Sequence, residues 1–122
     1  MSKPKVYSSN LLSIEISEDE DSITAGWKGK SVEREPHKFI TPILVREIKR
    51  CSDQNKRLIL DFRQLDYMNS STITPIIKIL ERAKRGTTHI TVQYDKLLKW
   101  QELIFSALMI FKTTDNRVEI VG

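Results

Sequence analysis

The chain has one cysteine, two histidines, four glycines and four prolines in 122 residues. Each shortage removes a class of function. With Cys51 alone, no internal disulfide forms and no metal site is built from thiolates. His37 falls in a charged connector and His89 at the start of a strand, and neither has Cys, Asp or His at metal-ligand spacing. Glycine is too sparse for a phosphate cradle: Gly26-Trp27-Lys28-Gly29-Lys30 combines glycines and lysines but lacks P-loop spacing. No serine has the flanking glycines of a strained nucleophile turn. No apolar run approaches the length of a membrane span. The opening Met1-Ser2-Lys3-Pro4-Lys5 is not followed by the apolar core of a secretory signal. There is no internal repeat and no low-complexity segment. The expectation is a cytoplasmic protein that is not an enzyme and carries neither metal nor cofactor.

What remains is an ordinary globular composition, 30% charged and 39% hydrophobic, at a length that suits one domain with its own core. The formal charge is +4. The positive residues are spread from Lys28 to Arg117 with no dense block, and Glu18-Asp19-Glu20-Asp21 opposes them. That balance permits an acidic partner or nucleic acid and requires neither. A small basic nucleic-acid-binding domain is therefore a rival reading. It implies affinity that falls steeply with salt, and it is weakened by the lack of an aromatic-basic strand surface.

Residues 1–10 are polar and read as loose, which leaves 11–122 as the domain. Residues 11–16 alternate after Leu11 and predict a half-buried strand. The acidic turn that follows leads to a hairpin partner over 22–29, rich in β-formers and ended by glycine. Lys30 to Lys38 is a charged connector. A helix then begins either with Thr41 as its cap and Pro42 as its first residue, or from a turn near Pro36. It carries Ile43, Leu44 and Ile48 as its apolar stripe and closes over 52–55. After the central segment, Gly86 suits the end of a helix. A strand is predicted over 89–94 and another over 117–121. Between them a helix over 97–111 is expected to bury Leu97, Trp100, Ile104, Ala107, Leu108 and Phe111 by period. Phe105, Met109 and Ile110 lie off that stripe, as a broad core face or a self-association surface. The order β-β-α-β-α-β-α-β predicts a single α/β domain with a mixed sheet and helices packed against it.

The central segment is residues 58–85. Leu58-Ile59-Leu60-Asp61-Phe62 reads as a strand covered on both faces. Residues 66–72 read as a polar turn. A helix follows with Ile73, Ile76, Ile77, Leu80 and Ala83 on one face, and with Lys78, Arg82, Lys84 and Arg85 on others. Asn69, Ser70, Ser71, Thr72 and Thr74 can each cap that helix. Thr72 or Thr74 as the cap would leave Ser70 outside the regular helix, on the exposed turn. An exposed hydroxyl there can equally be offered to a kinase.

Leu65-Asp66-Tyr67-Met68-Asn69-Ser70-Ser71, after a strand ending in Asp61-Phe62, resembles the phosphorylation loop of STAS domains, the fold of anti-sigma factor antagonists. Asn69 stands where that family usually has Asp, and Thr72 where it has Gly. The turn is also similar to that of the SiaC-like regulatory phosphoproteins, which read Tyr-Phe-Asn-Thr-Ser-Ser against Tyr67-Met68-Asn69-Ser70-Ser71-Thr72. Gly29-Lys30-Ser31 and Phe39-Ile40-Thr41-Pro42 match their upstream Gly-x-Ser and Phe-Tyr-x-Pro patches in order and separation.

Both resemblances imply phosphorylation at Ser70, with Ser71 the alternative. They imply a STAS-like fold, a Ser/Thr kinase of the anti-sigma type and a PP2C-like phosphatase. The output partner would be an anti-sigma factor or a diguanylate cyclase. A partner docking on the turn and its helix would meet Asn69, Ser70, Ser71, Thr72, Lys78 and Arg82, with Glu81 and Arg85 at the rim. Trp27 reads as core, and Ser31 as a plain loop hydroxyl.

Overall fold

The computed structural model describes residues 3–122. It is an α/β fold in which helices pack against a mixed seven-stranded sheet. β2 (Leu12–Glu18) and β3 (Ser22–Ser31) form the antiparallel hairpin expected from their alternation. The acidic turn between them is held by Asp19, whose Oδ1 accepts from the amides of Asp21 and Ser22 at 2.8 Å each. Leu12, Ile14 and Ile16 of β2 and Ile23, Ala25 and Trp27 of β3 alternate onto the buried face.

The amino-terminal segment differs from the loose expectation. Lys5–Ser9 is a strand, β1, paired antiparallel with β2; Met1 and Ser2 lie outside the described residues. β1 has no apolar period: only Tyr7 packs partly against the core, and its main contribution is backbone pairing. It caps the edge that β2 would otherwise leave open, and a tight turn with Asn10 at φ 51° returns the chain.

The first helix, α1 (His37–Gln54), starts a turn earlier than a Thr41 cap would allow. Pro36 already has the helical backbone, at φ −62°. An early start also buries Ile40 completely, beside half-buried Phe39. Pro42 is consequently inside the helix, near its beginning, where it forgoes one intrahelical bond. The helix ends as expected near Asn55, which adopts the left-handed conformation at φ 57°.

β4 (Arg57–Asp61) runs parallel to β3. Its two faces are unequal: Leu58 and Leu60 are fully buried, while Arg57, Ile59 and Asp61 are half-buried. It was expected to be covered on both faces, but the apolar run reflects a central position in the sheet. Arg57 lies over the second face, donating to Thr91 Oγ1 at 3.0 Å and pairing with Glu119 at 3.3 Å.

The expected polar turn also contains a short strand. β5 (Leu65–Met68) pairs in parallel with the end of β3, beyond a register shift at Gly29/Lys30. Gly29 has φ +88°, and a Cβ there would collide with the Leu11 carbonyl. That shift lets one long strand serve β4 with its first half and β5 with its second.

α2 (Ser70–Arg85) follows, and Gly86 ends it with an extended rather than left-handed backbone. β6 (Ile90–Gln93) lies between β4 and β7 (Val118–Val121), all parallel.

The third helix departs most from its period. α3 covers only Lys99–Phe105 and passes into a 3₁₀ segment, Ser106–Phe111. Leu97 precedes the helix and is 85% exposed, and Ala107 is exposed too. Phe105, expected off the stripe, is instead fully buried. Trp100, Ile104, Leu108 and Phe111 pack on the core as the period predicts; Leu97 misses it because it precedes the helix, and Ala107 because it lies where the chain winds in three-residue turns.

One core joins these elements. At its end nearest the site, Trp27 and Phe62 lie 4.7 Å apart by ring centroid, and Phe62 and Phe105 4.6 Å apart. Trp27 is core, as expected. Gln101, wholly buried, donates to the carbonyls of Phe62 and Leu65 and accepts from the Asp95 amide. No helix among the described residues is long and apolar enough to cross a membrane.

Cys51 lies on the buried face of α1, and burial, then the nearby Glu47 carboxylate, pushes its thiol up to about 11. The native chain is expected to resist a disulfide exchange reagent at pH 8 and to react fully in denaturant. The unfolded thiol ionises near 9 and the folded one near 11, so the folded state holds the proton in that window. This group's contribution to stability is therefore present below pH 9 and lost as pH rises through that range. Urea titrations across it check the sign. Gly29→Ala is expected to lower stability by more than about 1 kcal/mol in the same titrations.

Candidate functional site

The turn between β5 and α2 is fixed from beneath. Asn69 is the helix cap: its Oδ1 accepts from the Thr72 amide at 3.2 Å and from the Thr72 hydroxyl at 2.8 Å. Thr72 Oγ1 also lies 2.7 Å from Ser31 Oγ at the end of β3. Because the Thr72 hydroxyl donates to Asn69, the Ser31 hydroxyl donates to Thr72. The Asn69 amide nitrogen Nδ2 donates to the Glu33 carbonyl at 2.8 Å, and its backbone N–H to the Ser31 carbonyl at 2.9 Å.

Both departures from the STAS pattern have a local reason in this network. At position 69 an aspartate could accept from Thr72 but could not donate to Glu33. At position 72 a glycine would leave the buried Ser31 hydroxyl without this partner.

The expected contact residues therefore separate. Thr72 is completely buried and does not reach the surface, which corrects its place in a docking face. Ser31 is also buried, and its hydroxyl serves the fold. Asn69 is half-buried, with both ends of its side chain hydrogen-bonded within the network. Ser70 and Ser71 are exposed, and Ser70 is the first helical residue rather than a turn residue outside the helix. Their amides are among the first of α2 and have no intrahelical acceptor.

Ser71 and Lys78 line a cleft of about 580 Å³ between the N-terminal ends of α1 and α2. Arg34, His37 and Thr41 form its other wall, and Pro36, Pro42 and Pro75 stiffen it. Arg82 lies on a separate groove with Lys49 and Asp53. Sequence reasoning missed Arg34 and His37, which come from the connector and the first turn of α1. The signal available was Pro36, which places both residues beside a helix start.

Asp61, at the strand end that introduces the motif, faces the open side of the sheet. Burial pushes its carboxyl up, but the Arg63 side chain and amide outweigh this and hold it below the usual range. Arg63 Nη2 lies 2.9 Å from Asp61 Oδ2. Tyr67, between β5's two buried residues, is 48% exposed beside the turn.

No family model and no curated protein matches the chain.

Thr72→Val is expected to cost about 1–3 kcal/mol, because it leaves the buried Ser31 hydroxyl without its partner and removes one of the two donors to Asn69 Oδ1. Ser71→Ala is expected to stay within about 0.5 kcal/mol of the parent. Thr72→Val combined with Ser31→Ala should cost less than the sum of the two single changes, since both break one bond. Chemical denaturation of the four proteins measures the coupling.

Proposed function

We propose that the protein is a phosphorylation-switched binding module of the STAS type, similar to anti-sigma factor antagonists and the SiaC-like phosphoproteins, with Ser70 as the acceptor. The observation that carries this reading is the exposure of the Ser70 side chain at the first residue of a helix whose start is anchored from below. A kinase needs a reachable hydroxyl. A switch also needs a surface that changes while the fold does not.

A Ser/Thr kinase of the anti-sigma type would supply ATP. The Ser70 oxygen attacks the γ-phosphorus, the bond to ADP breaks, and the hydroxyl proton passes to a kinase base. A PP2C-like phosphatase returns the phosphate to water. The product carries about −1.5 to −2 charges and three acceptor oxygens. At a helix N-terminus these meet free N–H groups and the positive end of the dipole, so the native structure tolerates them.

A partner packed on Ser70, Ser71 and the exposed face of α2 would have to desolvate that dianion. Modification thus opposes docking and acts as release. The output partner is an anti-sigma factor or a diguanylate cyclase, engaged by the unmodified form. Asn69 leaves the turn less negative than an aspartate would, which bears on kinase choice.

Phosphopeptide mapping after incubation with the cognate kinase tests the reading. Label is expected at Ser70, lost in Ser70→Ala and retained in Ser71→Ala. Ser70→Asp is expected to keep the parent's circular dichroism and to bind the output partner at least about tenfold more weakly. A folded Ser70→Asp protein that binds at full strength refutes the release mechanism.

A further inference from the structure

The cleft between α1 and α2 carries Arg34 and His37 on one side and Lys78 on the other, with the hydroxyls of Thr41, Ser71 and Thr74 between them. No carboxylate lines it. Four arginines elsewhere are paired: Arg50 with Glu18 and Glu47, Arg57 with Glu119, Arg63 with Asp61 and Arg117 with Asp115, while Arg46, Arg82 and Arg85 have no such pair among the described residues. Among the described residues, the side chains of Arg34, His37 and Lys78 have no such partner. Arg34, Lys78 and several hydroxyl groups thus line one open cleft that has no carboxylate in its lining. The ligand chemistry that balances such a set is a compact anion with several acceptor oxygens.

We propose that this cleft binds one phosphoryl group, with Arg34 and Lys78 as its charge partners and the threonine hydroxyls as donors. The phosphate comes either from Ser71, carried on the cleft wall, or from a phosphate-bearing small molecule. The Ser71 source rests on the phosphorylation reading above; the small-molecule source does not. Ser70 is not part of the lining, so a phosphate there remains available to a partner. The two adjacent serines accordingly present phosphate to different surroundings.

Two arms of one experiment test the site in the full chain. In the first, inorganic phosphate is titrated while NMR follows Arg34, Ser71 and Lys78. Saturable shifts are expected, at least about tenfold weaker in the Arg34→Gln, Lys78→Gln double variant and unchanged in Lys49→Gln, an exposed lysine elsewhere on α1. In the second, phosphoserine is installed during synthesis at 71 or at 70, and its phosphorus resonance is followed with pH. The second ionisation of phosphoserine 71 is expected below the ordinary value of about 6 and should return to it in the double variant. The ionisation of phosphoserine 70, which lies outside the cleft lining, is expected to be the same in the parent and in the double variant.

Binding of inorganic phosphate with ordinary behaviour at 71 supports the small-molecule source. Cation-dependent ionisation at 71 without phosphate binding supports the covalent source. Absence of both overturns the site. Neither arm uses a kinase, so a chain that no kinase labels would defeat the switch and leave this result readable.

Discussion

The structure around the candidate site depends on one buried relay, from the Ser31 hydroxyl to the Thr72 hydroxyl to the Asn69 carboxamide. It joins the end of the longest strand to the start of α2 across forty-one positions of sequence. The interior in which it lies makes each of these bonds expensive to lose, because an orphaned hydroxyl has no water to turn to. The relay also allocates roles. It consumes Thr72 and most of Asn69, so the hydroxyls left at the surface of the helix start are those of Ser70, Ser71 and Thr74.

Behind the relay, the sheet and its aromatic packing supply rigidity. β3 is long enough to bond β4 and then, past the bulge at Gly29, β5. The second pairing brings Ser31 level with Met68, one residue before the cap. Phe62 sits between Trp27 and Phe105, and Gln101 holds the backbone on both sides of the loop from β4 to β5. The turn is thus supported by β3, by the third helix and by the cap itself. An added charge at its tip would act mainly on whatever approaches from solvent.

Much of this was legible in sequence, because the physical signal was local. Alternation gave the β2–β3 hairpin, and helical spacing gave Ile76, Leu80 and Ala83 as buried residues of α2. Other features needed non-local information. β1 has no apolar period and exists because β2 offers an unpaired edge. The start of α1 was open between a Thr41 cap and a turn near Pro36, and the structure takes the Pro36 start, which buries Ile40. The period placed Trp100, Ile104, Leu108 and Phe111 on the core but overreached at Leu97, which precedes the third helix, and at Ala107, in its 3₁₀ half. At the site, the exposure of Ser70 agreed with the sequence reading. The burial of Thr72 did not, since its partner Ser31 is remote in the chain and looked like a loop residue. Arg34 and His37 escaped notice because the cleft exists only once α1 and α2 are packed.

The account's central claim is that the α2 start is held from beneath, so that a charge at Ser70 alters the surface and leaves the structure intact. Amide hydrogen exchange, compared between the unmodified chain and one carrying phosphoserine at 70, tests this directly. The account expects equal protection through β3, β5 and α2 beyond its first turn, with change confined to the amides nearest Ser70. Loss of protection along β5 or the body of α2 would contradict it.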